Sequence, residues 1–548
     1  MPPTGEASLT RAHGRHRATV SAGPSPLRRF WVAWMPLLLL ALGTEMRLRQ
    51  WLGGRSLWLD EALIARSLVS RDYLALVATP LQGDQAGPVL WLWSTRLSLD
   101  LFGLGERQLR LVALLAGLVS LVLTWRLARR LLPADAVPVA VAIAVLSPSL
   151  LYFSNEVKPY AVDVAAVLGL VLMALRVPVG ERPGPALRRF ALAGAVLVWA
   201  SYAAIFALAG ISVILVLAAL PHGLNRALRV ARPLTGWVVS LVASYVLVLH
   251  RLSNSEILST YWAFSFPTGP ADLPTWLLRR AVGLVEDPLE LAVWPLALLL
   301  LAVGTIRLAR RTPLPAALVG VAVPLATIAA ALSVYPLASR LVLWLVPLAA
   351  LALAAVLPDR LDRVGTLTTA AVALSIVVAP MAAVSLPQTV SVLDRNELRS
   401  VMTDLQAQRR PGDLILVDIP AKAPFDYYTP LTGLGRDGVI LFASPEEVGG
   451  RCNDAAALVA GRFATQRVWV VFAHQLVDTA RLGSREDTLA RIGDVTSAST
   501  IIEAFGAKAV LFDPTAPRTT PSPEPRNPER CLAVIRTVPP TGAAPPPA

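Results

Sequence analysis

Residues 30–62 read FWVAWMPLLLLALGTEMRLRQWLGGRSLWLDEA. An apolar run of membrane-crossing length is followed at once by Trp58-Leu59-Asp60-Glu61, two adjacent carboxylates where a helix would leave the bilayer. A helix closes its own backbone hydrogen bonds and so tolerates lipid, whereas a carboxylate pair at its exit sits in water and can do proton chemistry at a membrane surface. What the pair can act on depends on which side of the membrane it occupies.

The rest of the chain repeats the first half of that pattern. Its 548 residues are 55% apolar and 16% charged, and the mean hydropathy is +0.58, outside the range of soluble globular domains. Apolar stretches near 30–46, 109–128, 136–153, 160–176, 190–205, 206–221, 234–250, 290–306, 314–333, 341–357 and 365–386 predict eleven spans. The fifth and sixth lie in one run, Phe190 to Leu220, too long for one helix, and it is split at Ser201-Tyr202.

Arginine sets the orientation. The tail carries Arg11, Arg15, Arg17, Arg28 and Arg29, and alternate spans exit into Arg126/Arg129/Arg130, Arg182/Arg188/Arg189, Arg226/Arg229/Arg232, Arg307/Arg310/Arg311 and Arg360/Arg363. All belong on the cytoplasmic side. The net charge of +13 therefore reads as topology and not as nucleic-acid affinity. Gly-Thr-Glu-Met after the first apolar core argues against a cleaved signal peptide.

With the N-terminus inside and an odd number of spans, everything after Pro387 is expected outside. The expected units are a basic tail (1–29), a transmembrane module (30–387, with 47–108 as its first outer loop), an α/β domain (388–513) and a proline-rich end (514–548) holding a short strand and a disordered tail. In the third unit, Asn396–Arg409 reads as an amphipathic helix, 414–417, 439–442, 468–472 and 509–512 as strands, and 453–464 and 498–506 as helices. Cys452 and Cys531, both in the exported part, are a disulfide candidate. No metal-type Cys/His spacing occurs.

Three polar segments share the outer face. In the first loop, Ala62–Ala78 and Val89–Phe102 suit helices lying in the interface, and Asp60 also reads as the N-cap of the helix Glu61-Ala62-Leu63-Ile64. Between the third and fourth spans stands Asn155-Glu156-Val157-Lys158-Pro159-Tyr160-Ala161-Val162-Asp163. Pro159 predicts an extended backbone before it, with Glu156 and Lys158 on one side. Tyr160 and Asp163 share a helix face that must meet protein or a wet cavity. After the ninth span comes Tyr335-Pro336-Leu337-Ala338-Ser339-Arg340. Lys158 and Arg340 are the only cations in the three short outer loops and run against the topological bias. A base with two cations is the set needed for transfer from a lipid-phosphate donor; each piece alone also reads as a cap, an ion pair at a helix end or a snorkelling arginine.

These motifs, in this order, resemble the GT-C superfamily of polyprenyl-phosphate-sugar-dependent glycosyltransferases, in particular its protein-mannosyltransferase and aminoarabinose-transferase-like group. The resemblance is carried by Leu57-Trp58-Leu59-Asp60-Glu61-Ala62, Asp84-Gln85-Ala86-Gly87-Pro88, Phe102-Gly103-Leu104-Gly105-Glu106-Arg107-Gln108-Leu109-Arg110, Ser147-Pro148, Tyr152 through Tyr160, Tyr335-Pro336 with Arg340, and, in the tail, Arg410-Pro411-Gly412-Asp413 and Phe425-Asp426-Tyr427-Tyr428. It implies that Asp60 activates the acceptor with Glu61 in support, that Lys158, Arg340 and Tyr335 lie at the donor phosphate, and that Asp84, Gln85, Glu156, Tyr160 and Asp163 line the site. It further implies an α-helical polytopic membrane protein that moves a sugar, with inversion, from a polyprenyl phosphate to an extracytoplasmic hydroxyl on a glycan, lipid or protein. A divalent cation such as Mg2+ or Mn2+ held by carboxylates is compatible with that chemistry. Many members carry His-Pro-Pro where this chain has Ala86-Gly87-Pro88, so any role of that histidine is absent here. The rival classes are a transporter or flippase of lipid-linked substrates and a catalytically inactive scaffold.

Overall fold

The computed structural model describes residues 26–178, 184–250, 260–358, 364–392, 396–442, 465–473 and 498–515, together with Leu489. The expected helix at 453–464, both cysteines and the proline-rich end beyond Thr515 lie outside the described residues.

The chain folds into a bundle of apolar helices with a small mixed sheet at one end. Helices α1 (Pro26–Ala33) and α2 (Met35–Gly53) form the first apolar rod, which stops at Gly54 in the left-handed conformation (φ 58°) that glycine adopts without Cβ strain. The first loop supplies α3 (Leu59–Ser70), α4 (Ala75–Ala78) and α5 (Val89–Phe102). There follow α6 (Glu106–Leu131), α7 (Val137–Leu146), α8 (Pro148–Phe153), α9 (Tyr160–Ala174), α10 (Pro185–Leu197), α11 (Ala204–Ala219) and α12 (Leu224–Ser244). The second half contributes α13 (Leu273–Glu286), α14 (Trp294–Arg311), α15 (Pro313–Gly320), α16 (Ala322–Ala331), α17 (Leu345–Ala354) and α18 (Val364–Ser385).

Among the described residues, six helices are long and apolar enough to cross a membrane, and Ala134–Leu146, Tyr160–Ala174 and Leu345–Ala354 are shorter apolar helices. The protein is an integral, multi-pass membrane protein, but by this measure the expected eleven spans are not reproduced. Pro148 opens a new helix after α7 and so shortens the third apolar run, and α14 ends on Arg307, Arg310 and Arg311. The split at Ser201-Tyr202 does occur: α10 ends at Leu197 and α11 begins at Ala204. Helices α14 and α17 approach so closely that a Cβ on Gly304 would stand 1.8 Å from the Ala352 carbonyl oxygen, the small-residue contact by which membrane helices pack without a hydrophobic drive.

The end domain begins with α19 (Leu398–Gln408), β1 (Leu414–Asp418) and α20 (Lys422–Thr432), followed by β2 (Val439–Phe442) and β3 (Val468–Ala473). It closes with β4 (Ala498–Ala504) and β5 (Ala507–Phe512), in the strand order β2-β1-β3-β5-β4. β1 runs parallel to β2 and β3, whereas β5 runs antiparallel to β3 and β4. The expected helix at 498–506 is corrected to strand β4. Thr500-Ile501-Ile502 is β-branched, and Gly506 turns the chain straight back onto β5 at φ 71°. Helix α20 packs on α3, and buried residues of α3, α5, α19, α20 and the sheet form one apolar cluster. The first loop and the sheet domain therefore share a core.

Candidate active site

Trp58 is extended (φ −74°, ψ 163°) and occupies the N-cap position of α3, so Asp60 falls at the second helical position and not at the cap as expected. Glu61, at the third, reaches back to accept the Trp58 N–H at 3.0 Å, half of a capping box. The two neighbouring carboxylates therefore part company. The side chain of Glu61 is 1% exposed and meets Arg110 of α6 in a bidentate pair, Nε to Oε1 at 2.9 Å and Nη2 to Oε2 at 2.7 Å. It also accepts the Val157 N–H at 2.8 Å. Burial alone would push this carboxyl up. The Arg110 charge and hydrogen bonds, with Arg55 and the Trp58 amide behind them, outweigh it and hold Glu61 well below the usual carboxylate range, at about 2.

Asp60 is freed by this arrangement. Its side chain is 25% exposed, and its Oδ2 lies 3.4 Å from Lys158 Nζ and 3.5 Å from Arg340 Nη2. These are ion-pair distances without the tight geometry of a saturated hydrogen bond. Lys158 is buried and donates to Gln85 Oε1 at 2.5 Å. Burial pushes its ammonium below the ordinary lysine value, opposed by Asp60 and reinforced by Arg340. The guanidinium of Arg340 lies 5.8 Å from the Trp262 ring centroid, with Tyr160 beside it. Its Nε is buried with no hydrogen-bond partner among the described residues, so the planar fork keeps a donor to spare.

The polar segments from three loops thus converge on one carboxylate, but three of the predicted details change. The stretch before Pro159 is not extended. Lys158 N–H donates to Glu156 O at 2.7 Å across a tight turn, because Glu61 takes the Val157 amide and bends the chain. Glu156 is buried beside Lys158 and Arg340. Asp163 does not join Asp60: its Oδ1 accepts from Ser201 Oγ at 2.5 Å, while Ser201 Oγ accepts the Ala204 N–H at 3.1 Å. The Asp163–Ser201 pair thus sits at the break between α10 and α11. Tyr335 donates its hydroxyl to Leu341 O at 2.7 Å and packs edge-on against Phe206, so it braces the loop that carries Arg340. Asp84, half-buried at φ 50°, belongs to the turn that delivers Gln85.

Sequence reasoning missed Arg110, Trp262 and the neighbours of Glu61. An Arg110 one turn after Glu106 at the head of a span was the available signal. Nothing local marked Trp262. Among the described residues, no three or more His, Cys, Asp or Glu side chains are grouped so as to hold a metal ion; Asp60 and Glu156 do not form such a set.

The fold, a bundle of apolar helices with a small mixed sheet at one end, recurs among known structures. Residues 86–250 match the family described as dolichyl-phosphate-mannose-protein mannosyltransferase. The chain is similar to ArnT from Cupriavidus metallidurans bound to undecaprenyl phosphate, with 16% identity and a TM-score of 0.50 over 88% of this chain and 98% of that one. Another similar structure is the oligosaccharyltransferase AglB from Archaeoglobus fulgidus in complex with an inhibitory peptide and a dolichol-phosphate, with 12% identity, 89% and 74% covered and a TM-score of 0.45. No curated protein matches by sequence.

Proposed function

We propose that this protein transfers a sugar from a polyprenyl-phosphate donor to a hydroxyl of an extracytoplasmic glycan, lipid or protein, with Asp60 as the base. The observation that carries the reading is one partly exposed carboxylate held loosely by two cations, next to a carboxylate, one residue on, that is buried and saturated. Support also comes from the matched family, whose description names a dolichyl-phosphate sugar, and from ArnT, whose structure holds undecaprenyl phosphate.

In this reading the donor phosphate takes Lys158 and Arg340 from Asp60, whose oxygens are then free to accept a proton. The acceptor O–H proton passes to Asp60 as the oxygen bonds to the anomeric carbon. The bond from that carbon to the phosphate oxygen breaks, its electron pair stays on the phosphate, and the two cations stabilise the charge that develops there. Attack from the face opposite the leaving phosphate inverts the anomeric centre. The arginine-rich end of the bundle faces the cytoplasm of a plasma (inner) membrane, with the N-terminus inside and the sheet domain outside.

The test supplies membranes from cells expressing wild type or Asp60→Asn with radiolabelled polyprenyl-phosphate sugars and endogenous acceptors. Transfer by wild type alone is expected. Equal transfer in both would sink the role of Asp60, and no transfer from any donor by wild type would favour a transporter or a scaffold.

A further inference from the structure

Asp60 is placed by the short segment Gly54–Leu57, which belongs to neither helix nor strand and so must find side-chain partners for its buried backbone groups. Two come from the membrane bundle: Arg110 Nη1 donates to Arg55 O at 2.6 Å and Nη2 to Ser56 O at 3.3 Å. The others come from the end domain. The Ser56 N–H donates to Glu397 Oε1 at 3.2 Å and the Ser56 hydroxyl to Glu397 Oε2 at 3.1 Å. The Leu57 N–H donates to Tyr428 Oη at 2.7 Å, and Leu57 O accepts from Asn396 Nδ2 at 3.4 Å. Gly54 O accepts from Arg399 Nη2 at 3.1 Å.

The buried Tyr428 hydroxyl has a second role. It donates to Glu106 Oε1 at 2.9 Å, and Arg399 Nη1 pairs with the same oxygen at 2.9 Å. Glu106 opens the helix that carries Arg110. Tyr428 therefore joins the strap before Asp60 to the helix whose arginine clamps Glu61. A domain that merely rested on the bundle would need only surface contacts, such as Arg66 Nη1 to Asp426 Oδ2 at 3.0 Å.

We infer that the C-terminal domain completes the active site, with Tyr428 and Glu397 as positioning residues that hold the Gly54–Leu57 strap, and through it Asp60, in register with Lys158 and Arg340. This rests on the reading of Asp60 as base. A carboxylate on a slack strap is misplaced toward the acceptor while the phosphate site, made by Lys158 and Arg340 on other loops, stays whole. Loss therefore falls on kcat.

The experiment uses the purified full-length protein in four versions besides wild type: Tyr428→Phe, Glu397→Gln, Asp426→Asn and Asp60→Asn. Transfer is measured with the polyprenyl-phosphate sugar that supports wild-type turnover, and Kd with undecaprenyl phosphate. Tyr428→Phe and Glu397→Gln are expected to lower kcat roughly ten- to a hundredfold, the cost of a misplaced reacting group, with Kd unchanged. Asp426→Asn, which loosens docking without touching the strap, keeps wild-type kcat. Wild-type kcat in a folded Tyr428→Phe and Glu397→Gln would overturn the inference, as would an equal fall in Asp426→Asn. If Tyr428→Phe fails to fold, Glu397→Gln decides. Wild-type turnover in Asp60→Asn would instead overturn the base assignment itself.

Discussion

Asp60 and Glu61 are adjacent carboxylates at the head of one helix, yet they occupy opposite regimes. Glu61 spends both oxygens on Arg110 and two backbone amides at 2.7–3.0 Å and is shut off from water. Asp60 faces two cations at 3.4–3.5 Å and remains a quarter exposed. The difference teaches that charge in this protein is not sorted by residue type or burial alone but by saturation. A carboxylate with every lone pair engaged is architecture, and one with slack around it can exchange partners with a substrate.

The sharpest way to break that contrast is to neutralise each member. Asp60→Asn is expected to cut sugar transfer by roughly 10²- to 10⁴-fold, the scale of general-base catalysis, while the thermal unfolding midpoint in detergent stays at the wild-type value. Glu61→Gln should do the reverse to stability. It leaves Arg110 buried without its counter-charge, a loss of about 3–5 kcal/mol, read as a fall in midpoint that exceeds that of any Asp60 variant. Because the folded-state acidity of Glu61 is depressed, its contribution is fully present above the usual carboxylate range and fades as pH falls from there toward about 2. Acid titration of unfolding should show that loss in wild type and lack it in Glu61→Gln.

Smaller effects test the cations. Removing Arg340 (Arg340→Ala) forfeits charge-assisted hydrogen bonds worth about 1.5–3 kcal/mol, so undecaprenyl phosphate should bind roughly ten- to a hundredfold more weakly, measured as Kd. Equal affinity would dissociate Arg340 from the phosphate. Smallest is a pH effect: burial lowers the Lys158 ammonium below its ordinary value of 10.5, so transfer should fall on the alkaline side before that pH. Lys158→Arg should move the fall upward, and an unshifted profile would assign the limb to another group.

Two of the site's cations were readable because the positive-inside rule makes exceptions conspicuous. Lys158 and Arg340 stand out as the only cations in the three short loops expected on the outer face, and the structure brings both to Asp60. The apolar runs gave the helices for the same reason, since period and length are local properties. What escaped is what depends on long-range pairing. Nothing near Glu61 names Arg110, and nothing near Leu57 names Tyr428, 371 residues away. Glu61 and not Asp60 serves the cap because the cap depends on where the helix starts, and two residues of offset, from Asp60 to Trp58, decide which carboxylate is consumed. Strand β4 was read as helix because seven residues carry too little periodicity to decide, and its pairing with β5 overrode it.

The break between α10 and α11 has a further consequence. The turn of backbone at Trp199 offers its carbonyl to the Leu90 N–H at 2.9 Å, satisfying one of the orphan donors at the start of α5. The first loop is thus plugged into the bundle like a key in a lock, and the wards of that lock are counted in residues. Inserting a single amino acid into α10 would turn Trp199 by about 100° and withdraw the keyhole, whereas an insertion ahead of Pro185 would leave it untouched. Length changes in this chain are therefore tolerated at one end of a helix and forbidden along its body.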